Sequence, residues 1–309
     1  MTREKFLDLV VAGPDMSGTS TQIKDIINFF QNKEMIVKDL RGTETDALFH
    51  AENFSEINNF YLGVSDLPES VRKDFLLKTY ELMSGGGTNQ DLQIASCVKN
   101  GLTTYINPNS AEVWVMEEPT KRGAGQVNRT IEQNRSKFGD KMNPMAAALS
   151  HQIYRTDEFL RFRKAFRENN KIIIRSRSEE SACYQIFDSK RLQNGIKMQD
   201  YLKLPGHEIA FKNAPTNIIT VCGPEDWTAQ DYLELKKQRS DGRAIDDYEN
   251  NFEYQVLVNK RYSSNWINEL YEKGCEMYGG IMPEITRFSI YDSKEQIREK
   301  MILKLETLI

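Results

Sequence analysis

A chain of 309 residues, 39% hydrophobic and 28% charged, has ordinary globular composition and is long enough for one large or two small domains with a substantial core. Its net charge of -4 shows no basic footprint for nucleic acid in the totals, which leaves only a local patch open to that role. Cys97, Cys183, Cys222 and Cys275 are scattered without paired spacing, which argues against a zinc site or disulfide framework and points to a reducing, cytoplasmic setting. No apolar run is long enough to span a bilayer, and Met1-Thr2-Arg3-Glu4-Lys5 runs straight into the first strand, so neither a membrane span nor a signal peptide is expected.

In chain order, Phe6-Leu7-Asp8-Leu9-Val10-Val11-Ala12 reads as a short buried strand. The run Gly13-Pro14-Asp15-Met16-Ser17-Gly18-Thr19-Ser20-Thr21 follows, and Gln22-Ile23-Lys24-Asp25-Ile26-Ile27-Asn28-Phe29-Phe30 repeats apolar residues at helical spacing. A strand, a glycine loop and a helix therefore stand in the order of a phosphate-binding loop. Met35-Ile36-Val37-Lys38 is a further candidate strand. The passage 40–110 is too long for an empty connection and is expected to be a partly helical insertion, with an amphipathic stretch over 71–83 and the flexible Ser84-Gly85-Gly86-Gly87. It is expected to cap a site, to form an oligomer interface such as that of a homodimer, or to be a solvated decoration.

Four more β-branched runs complete an expected five-stranded, mainly parallel sheet: Glu112-Val113-Trp114-Val115-Met116, Lys171-Ile172-Ile173-Ile174, Asn217-Ile218-Ile219-Thr220-Val221 and Thr286-Arg287-Phe288-Ser289-Ile290. Helical periodicity fills 144–168, 227–237 and 253–272. Strands alternating with helices imply an α/β fold with helices on both faces, and ligands beyond the carboxyl ends of the strands.

Glycines at both ends of the 13–21 loop let successive backbone N–H groups turn inward, and the helix adds its positive N-terminal end, so a polyphosphate is held mainly by backbone. The lysine that normally reaches the β- and γ-phosphates is replaced by Thr19, so its charge has to come from elsewhere. Ser20 keeps the hydroxyl suited to magnesium, and Asp15 is the best carboxylate for the metal or its water shell, with a local turn as its ordinary alternative.

With these motifs in place, most of the chain resembles the thymidylate kinase family of P-loop nucleoside monophosphate kinases. The first match runs from Ala12-Gly13-Pro14-Asp15 to Gln22 and the second is Val115-Met116-Glu117-Glu118-Pro119-Thr120, similar to a segment that ends in glutamate-proline-glycine. The third is Met142-Asn143-Pro144 leading to His151 and Tyr154-Arg155. The fourth is Ile174-Arg175-Ser176-Arg177-Ser178-Glu179-Glu180-Ser181-Ala182-Cys183-Tyr184-Gln185, similar to the family's aspartate-arginine-tyrosine signature if one residue is deleted before Tyr184. The fifth is Gln238-Arg239-Ser240-Asp241-Gly242-Arg243, placed like the arginine-bearing lid within 236–252. Four positions depart from the pattern: Thr19 replaces lysine, Glu117 an arginine, His151 the base-stacking aromatic and Ser176 the signature aspartate.

The resemblance implies ATP and Mg²⁺ as donor and cofactor, bound by Gly13, Pro14, Asp15, Met16, Ser17, Gly18, Thr19, Ser20 and Thr21, with Ser20 and Asp15 at the metal. It implies catalytic roles for Asp15, Arg177, Arg239 and Arg243, the arginines supplying the charge that Thr19 lacks. Glu118, His151, Arg155, Tyr184 and Gln185 are the implied acceptor contacts. For Arg155 the ordinary alternative is a surface pair with Glu158, for His151 a satisfied helical histidine, for Glu118 a structural ion pair and for Tyr184 core packing.

The activity so implied is phosphoryl transfer to a (deoxy)nucleoside monophosphate, dTMP or a modified pyrimidine analogue. A monophosphate acceptor arrives ionised and needs no base, in keeping with Ala12, where related deoxynucleoside kinases place a glutamate; Asp15 or Glu118 remain alternative bases. Two other readings stay open: a kinase acting on 5-hydroxymethyl-pyrimidine in DNA, and a nucleotide-binding relative without catalysis.

Overall fold

The computed structural model describes residues 6–41, 108–119, 144–182, 196–239 and 252–309. β1 (Leu7–Ala12) leads through the glycine loop into α1 (Thr19–Asn32), followed by β2 (Val37–Asp39). Next come β3 (Val113–Glu117), α2 (Pro144–Glu158), a π-helical turn (Phe159–Arg163), α3 (Lys164–Glu168) and β4 (Ile172–Ser176). Then follow α4 (Met198–Leu202), α5 (His207–Lys212), β5 (Asn217–Cys222), α6 (Ala229–Arg239), α7 (Phe252–Ser263), α8 (Trp266–Tyr278), β6 (Glu284–Ser289) and α9 (Lys294–Leu308).

All the strand pairs are parallel, in the order β2-β3-β4-β1-β5-β6. The sheet thus has six strands among the described residues where five were expected. The added one is β2: Val37, Lys38 and Asp39 pair with Val113, Trp114 and Val115, turning the candidate at 35–38 into an edge strand. The single helix expected over 253–272 is two, interrupted at Ser264-Asn265. Of the 40–110 insertion, nearly all lies outside the described residues. No helix of the described residues is long and apolar enough to cross a membrane.

The two-residue period of β1 decides the layers. Leu7, Leu9 and Val11 pack with Ile23, Ile26, Phe29 and Phe30 of α1 and with Met301 and Leu305 of α9. Val10 and Ala12 pack in the opposite layer with Phe211 of α5, Val258 and Tyr262 of α7, and Ile267 and Leu270 of α8. Farther along that second face, Trp114 of β3 stacks on Phe166 of α3 with ring centroids 4.3 Å apart.

Asp8 belongs to the second face of β1 and is fully buried. Its carboxylate accepts from Arg175 Nε of β4 at 2.8 Å and lies 3.4 Å from Arg163 Nη2 and 3.5 Å from Arg167 Nη1. Arg175 then reaches Glu118 Oε1 at 3.3 Å, and Arg155 Nε donates to Glu118 Oε2 at 2.9 Å. Cations and anions alternate under the second layer, from the α3 end of the sheet to the loop beyond β3. Burial works against the Arg175 charge, but Asp8 and Glu118 hold its pKa above the ordinary arginine value.

Removing one member strands its partners in a low-dielectric interior. Asp8→Asn is therefore expected to lower the unfolding free energy by about 3–5 kcal/mol, read as a reduced urea midpoint at unchanged slope; a shift of under ~1 kcal/mol would contradict the assignment.

Candidate functional site

The loop after β1 lies where the strand order reverses, because β4 flanks β1 on one side and β5 on the other. In parallel α/β sheets this crevice is where ligands bind. Gly13 is obligatory there: a Cβ would stand 2.4 Å from Val221 O and 2.6 Å from Ser17 Oγ. Gly18 adopts the left-handed conformation (φ 82°, ψ 22°) and starts α1 without a side-chain cap. Ser17 N donates to Pro14 O at 3.1 Å, and Gln22 Nε2 reaches back to Ser17 O at 2.9 Å, so the turn is braced from inside. The buried Ser17 Oγ has no hydrogen-bond partner among the described residues. Ser20 and Thr21 are exposed and Thr19 is half-buried at the mouth.

Arg177 follows β4 with φ 72°, a left-handed backbone that costs a non-glycine residue of order 1 kcal/mol and tends to persist at functional sites. Its backbone N–H donates to Val11 O at 3.1 Å, fixing it beside β1. Its Nη2 donates to Asp15 Oδ1 at 2.9 Å, which places a guanidinium at the glycine loop. The other Asp15 oxygen accepts from Gln255 Nε2 of α7 at 2.7 Å. One turn further along α7, Asn259 Oδ1 accepts from Gly223 N at 2.7 Å and its Nδ2 donates to Pro224 O at 2.8 Å. The loops after β1 and β5 are thereby both tied to one helix.

On the other side of the crevice, Arg155 is buried with its donors distributed among Glu118 Oε2, Tyr201 Oη at 3.3 Å and Ser178 O at 2.9 Å. It is not on the surface with Glu158: its ion pair is with Glu118. His151 is buried too, with Nδ1 3.4 Å from Tyr154 Oη, as expected of a satisfied helical histidine.

Beyond β4, Ser178 N donates to Glu180 Oε1 at 2.9 Å and Ser178 Oγ hydrogen-bonds the Glu179 carboxylate. Burial opposes ionisation of Glu179, but Arg155 and Arg175 hold its carboxyl down at about 2. Burial, reinforced by the Glu118 charge, pushes Glu180 up to about 7. Burial and the nearby Arg155 drive His207 down to about 3, so this histidine is neutral at ordinary pH.

The expected residues thus fall into three groups. Asp15, Arg177 and the 13–21 loop come together, and Glu118 and Arg155 pair with each other next to them. Arg243, Tyr184 and Gln185 lie outside the described residues, and so does most of the 236–252 segment; Arg239 is the last residue of α6. Sequence reading passed over Asp8, Gln255 and Asn259, and it left Arg175 without a role. A signal was there: an aspartate and an arginine inside otherwise apolar strands, and two amides spaced i, i+4 within a helix. Among the described residues no group of three or more His, Cys, Asp or Glu is arranged to hold a metal ion.

Glu180 has a thermodynamic consequence. Its carboxyl titrates near 4.5 unfolded and at about 7 folded, so between those values the native state binds the extra proton and stability falls as pH rises. The full effect is about 3 kcal/mol. His207 acts oppositely over about 3 to 6.5, because there the unfolded chain binds the proton. Glu180 is therefore read from the difference between wild type and Glu180→Gln: urea titrations at pH 5 and pH 8 should show the variant gaining on the wild type by about 2–3 kcal/mol as pH rises, and a pH-independent difference would refute the shift. No protein-family model and no curated protein sequence matches this chain.

Proposed function

We propose that the chain binds a nucleoside triphosphate on the 13–21 loop and transfers its terminal phosphoryl group to a (deoxy)nucleoside monophosphate, dTMP or a modified pyrimidine analogue. What carries the reading is the Arg177 guanidinium, anchored 2.9 Å from Asp15 at the end of a glycine loop that opens a 14-residue helix. A loop of this kind presents backbone N–H groups to phosphate oxygens. Arg177 supplies a cation on the side where the usual lysine is missing. The unpartnered Ser17 hydroxyl and the uncapped start of α1 are further polar groups suited to an anion.

In the transfer, an oxygen of the acceptor monophosphate forms a bond to the γ-phosphorus as the bond to the β–γ bridging oxygen breaks, leaving two diphosphates. No proton has to be removed from an ionised acceptor, so Ala12 at the end of β1 is no handicap. The protein's share is alignment and neutralisation of charge. Magnesium, when bound, would add neutralisation between the phosphates. Ser20, exposed in the first turn of α1, would hold it, whereas both Asp15 oxygens are engaged by Arg177 and Gln255.

One observation favours a second reading, nucleotide binding without turnover. Arg155 is buried, with an internal partner on each nitrogen, so only the second N–H of Nη1 and of Nη2 is left for an acceptor base.

Calorimetry with ATP and Mg²⁺ should give a binding isotherm; no heat overturns both readings. Coupled assays over a panel of nucleoside monophosphates should show ADP release, and its absence with intact ATP binding leaves the second reading. Arg177→Met is expected to lower kcat/KM by about 10- to 100-fold, the worth of a charge-assisted hydrogen bond in the transition state. Thr19→Lys discriminates further: restoring turnover to a silent wild type supports the second reading, while little change in an active enzyme supports Arg177 as the substitute cation.

A further inference from the structure

Helix α7 turns a largely apolar face to the sheet, with Val258 and Tyr262 in the core, yet Gln255 and Asn259 on it are both fully buried. Buried amides are expensive unless bonded, and a pair one turn apart in a core helix calls for a reason beyond packing. The bonds supply one. Gln255 donates to Asp15 Oδ2 while Arg177 donates to Oδ1, and Asn259 makes a two-point contact with the backbone of Gly223 and Pro224. These two loops border the same crevice, one after β1 and the other after β5.

We propose that Gln255 is a positioning residue for the phosphoryl-transfer site: by donating to Asp15 Oδ2 it fixes the carboxylate that aims Arg177 over the phosphate loop, while Asn259 holds α7 at the height where that donation is made. The inference rests on the nucleotide reading above for its catalytic meaning. Its geometry stands by itself. The Asp15 carboxylate has two faces in use, one for a guanidinium and one for a neutral donor. A neutral donor steadies the carboxylate without competing for its negative charge, so the ion pair with Arg177 keeps its full Coulombic attraction. A second cation at 255 would divide that attraction, and an acid there would repel Asp15.

The test uses the full chain with Gln255→Met, which keeps length and removes the donor, and Gln255→Glu, which carries a donor only when protonated. Gln255→Met should lower kcat at least tenfold while the calorimetric Kd for ATP changes less than threefold, because an aimed cation matters most in the transition state. Gln255→Glu should be at least as impaired as the methionine variant at pH 8 and recover activity towards pH 6, whereas the wild type shows no such acid recovery. Wild-type kcat in Gln255→Met, or a Gln255→Glu pH profile parallel to wild type, overturns the proposal. A double-mutant cycle with Arg177→Met, read as urea unfolding, decides the geometry without any nucleotide. The two side chains act through Asp15, so the unfolding constant of the double variant should depart at least threefold from the product of the single effects. Additivity within error overturns the proposal. Absence of ATP binding by the wild type defeats the nucleotide reading, and the cycle still decides the clamp.

Discussion

A buried alternation of charge fixes the centre of this protein. Asp8 in the middle strand, Arg175 in its neighbour, Glu118 beyond β3 and Arg155 on α2 form one continuous series, with Arg163 and Arg167 closing it at the far end. Charges of this kind are costly to bury unpaired, so the strands and α2 have to meet in one register for each to find an opposite partner. Apolar packing alone accepts neighbouring registers more readily, since valine and isoleucine side chains are interchangeable in contact. The ion series thereby contributes uniqueness as much as stability.

The same series sets the environment of the crevice. Glu118 and Arg155 serve the interior, and Glu179 is held ionised by the arginines while the adjacent Glu180 is displaced towards neutrality. Arg177, two residues after Arg175 in the chain, sits outside this neutralised region and carries its charge to the glycine loop, with its side chain 27% exposed. The difference between the two arginines is one of burial and partner. Arg175 is locked between two carboxylates in the interior, while Arg177 meets Asp15 at the mouth. Under the proposed function a guanidinium at that position would substitute for an ammonium on the loop itself, because a phosphate responds to charge and donor geometry and not to which segment delivers them.

Much of the architecture was legible from residue pattern. The strand, glycine loop and helix at 6–30 announced themselves through an apolar run, two glycines and a 3.6-residue repeat, and the later strands through their β-branched composition. The missed features have specific causes. β2 is three residues long and half-buried, too short for a period to emerge, and only its pairing with β3 makes it a strand. The break at Ser264-Asn265 interrupts no apolar repeat, so one helix was expected where two stand. Helix α9 was overlooked although Ser293 and Gln296 form a capping box, a signal readable from the serine and the glutamine three residues later. The pairing of Arg155 with Glu118 instead of Glu158 joins residues 37 apart, which local spacing does not report.

The amino-acid sequence by itself determined the class of fold and the place of the glycine loop, because periodicity and glycine conformational freedom act over a few neighbouring residues. It also located the loss of the lysine at Thr19. Only the tertiary structure decided which charged side chains meet at that loop. Asp15, Arg177 and Gln255 span 240 residues of chain, and their meeting depends on β1 lying between β4 and β5 with α7 packed against β5. Contacts of that separation are set by how the whole sheet closes its apolar layers and satisfies its buried charges, and no short window of sequence contains that information.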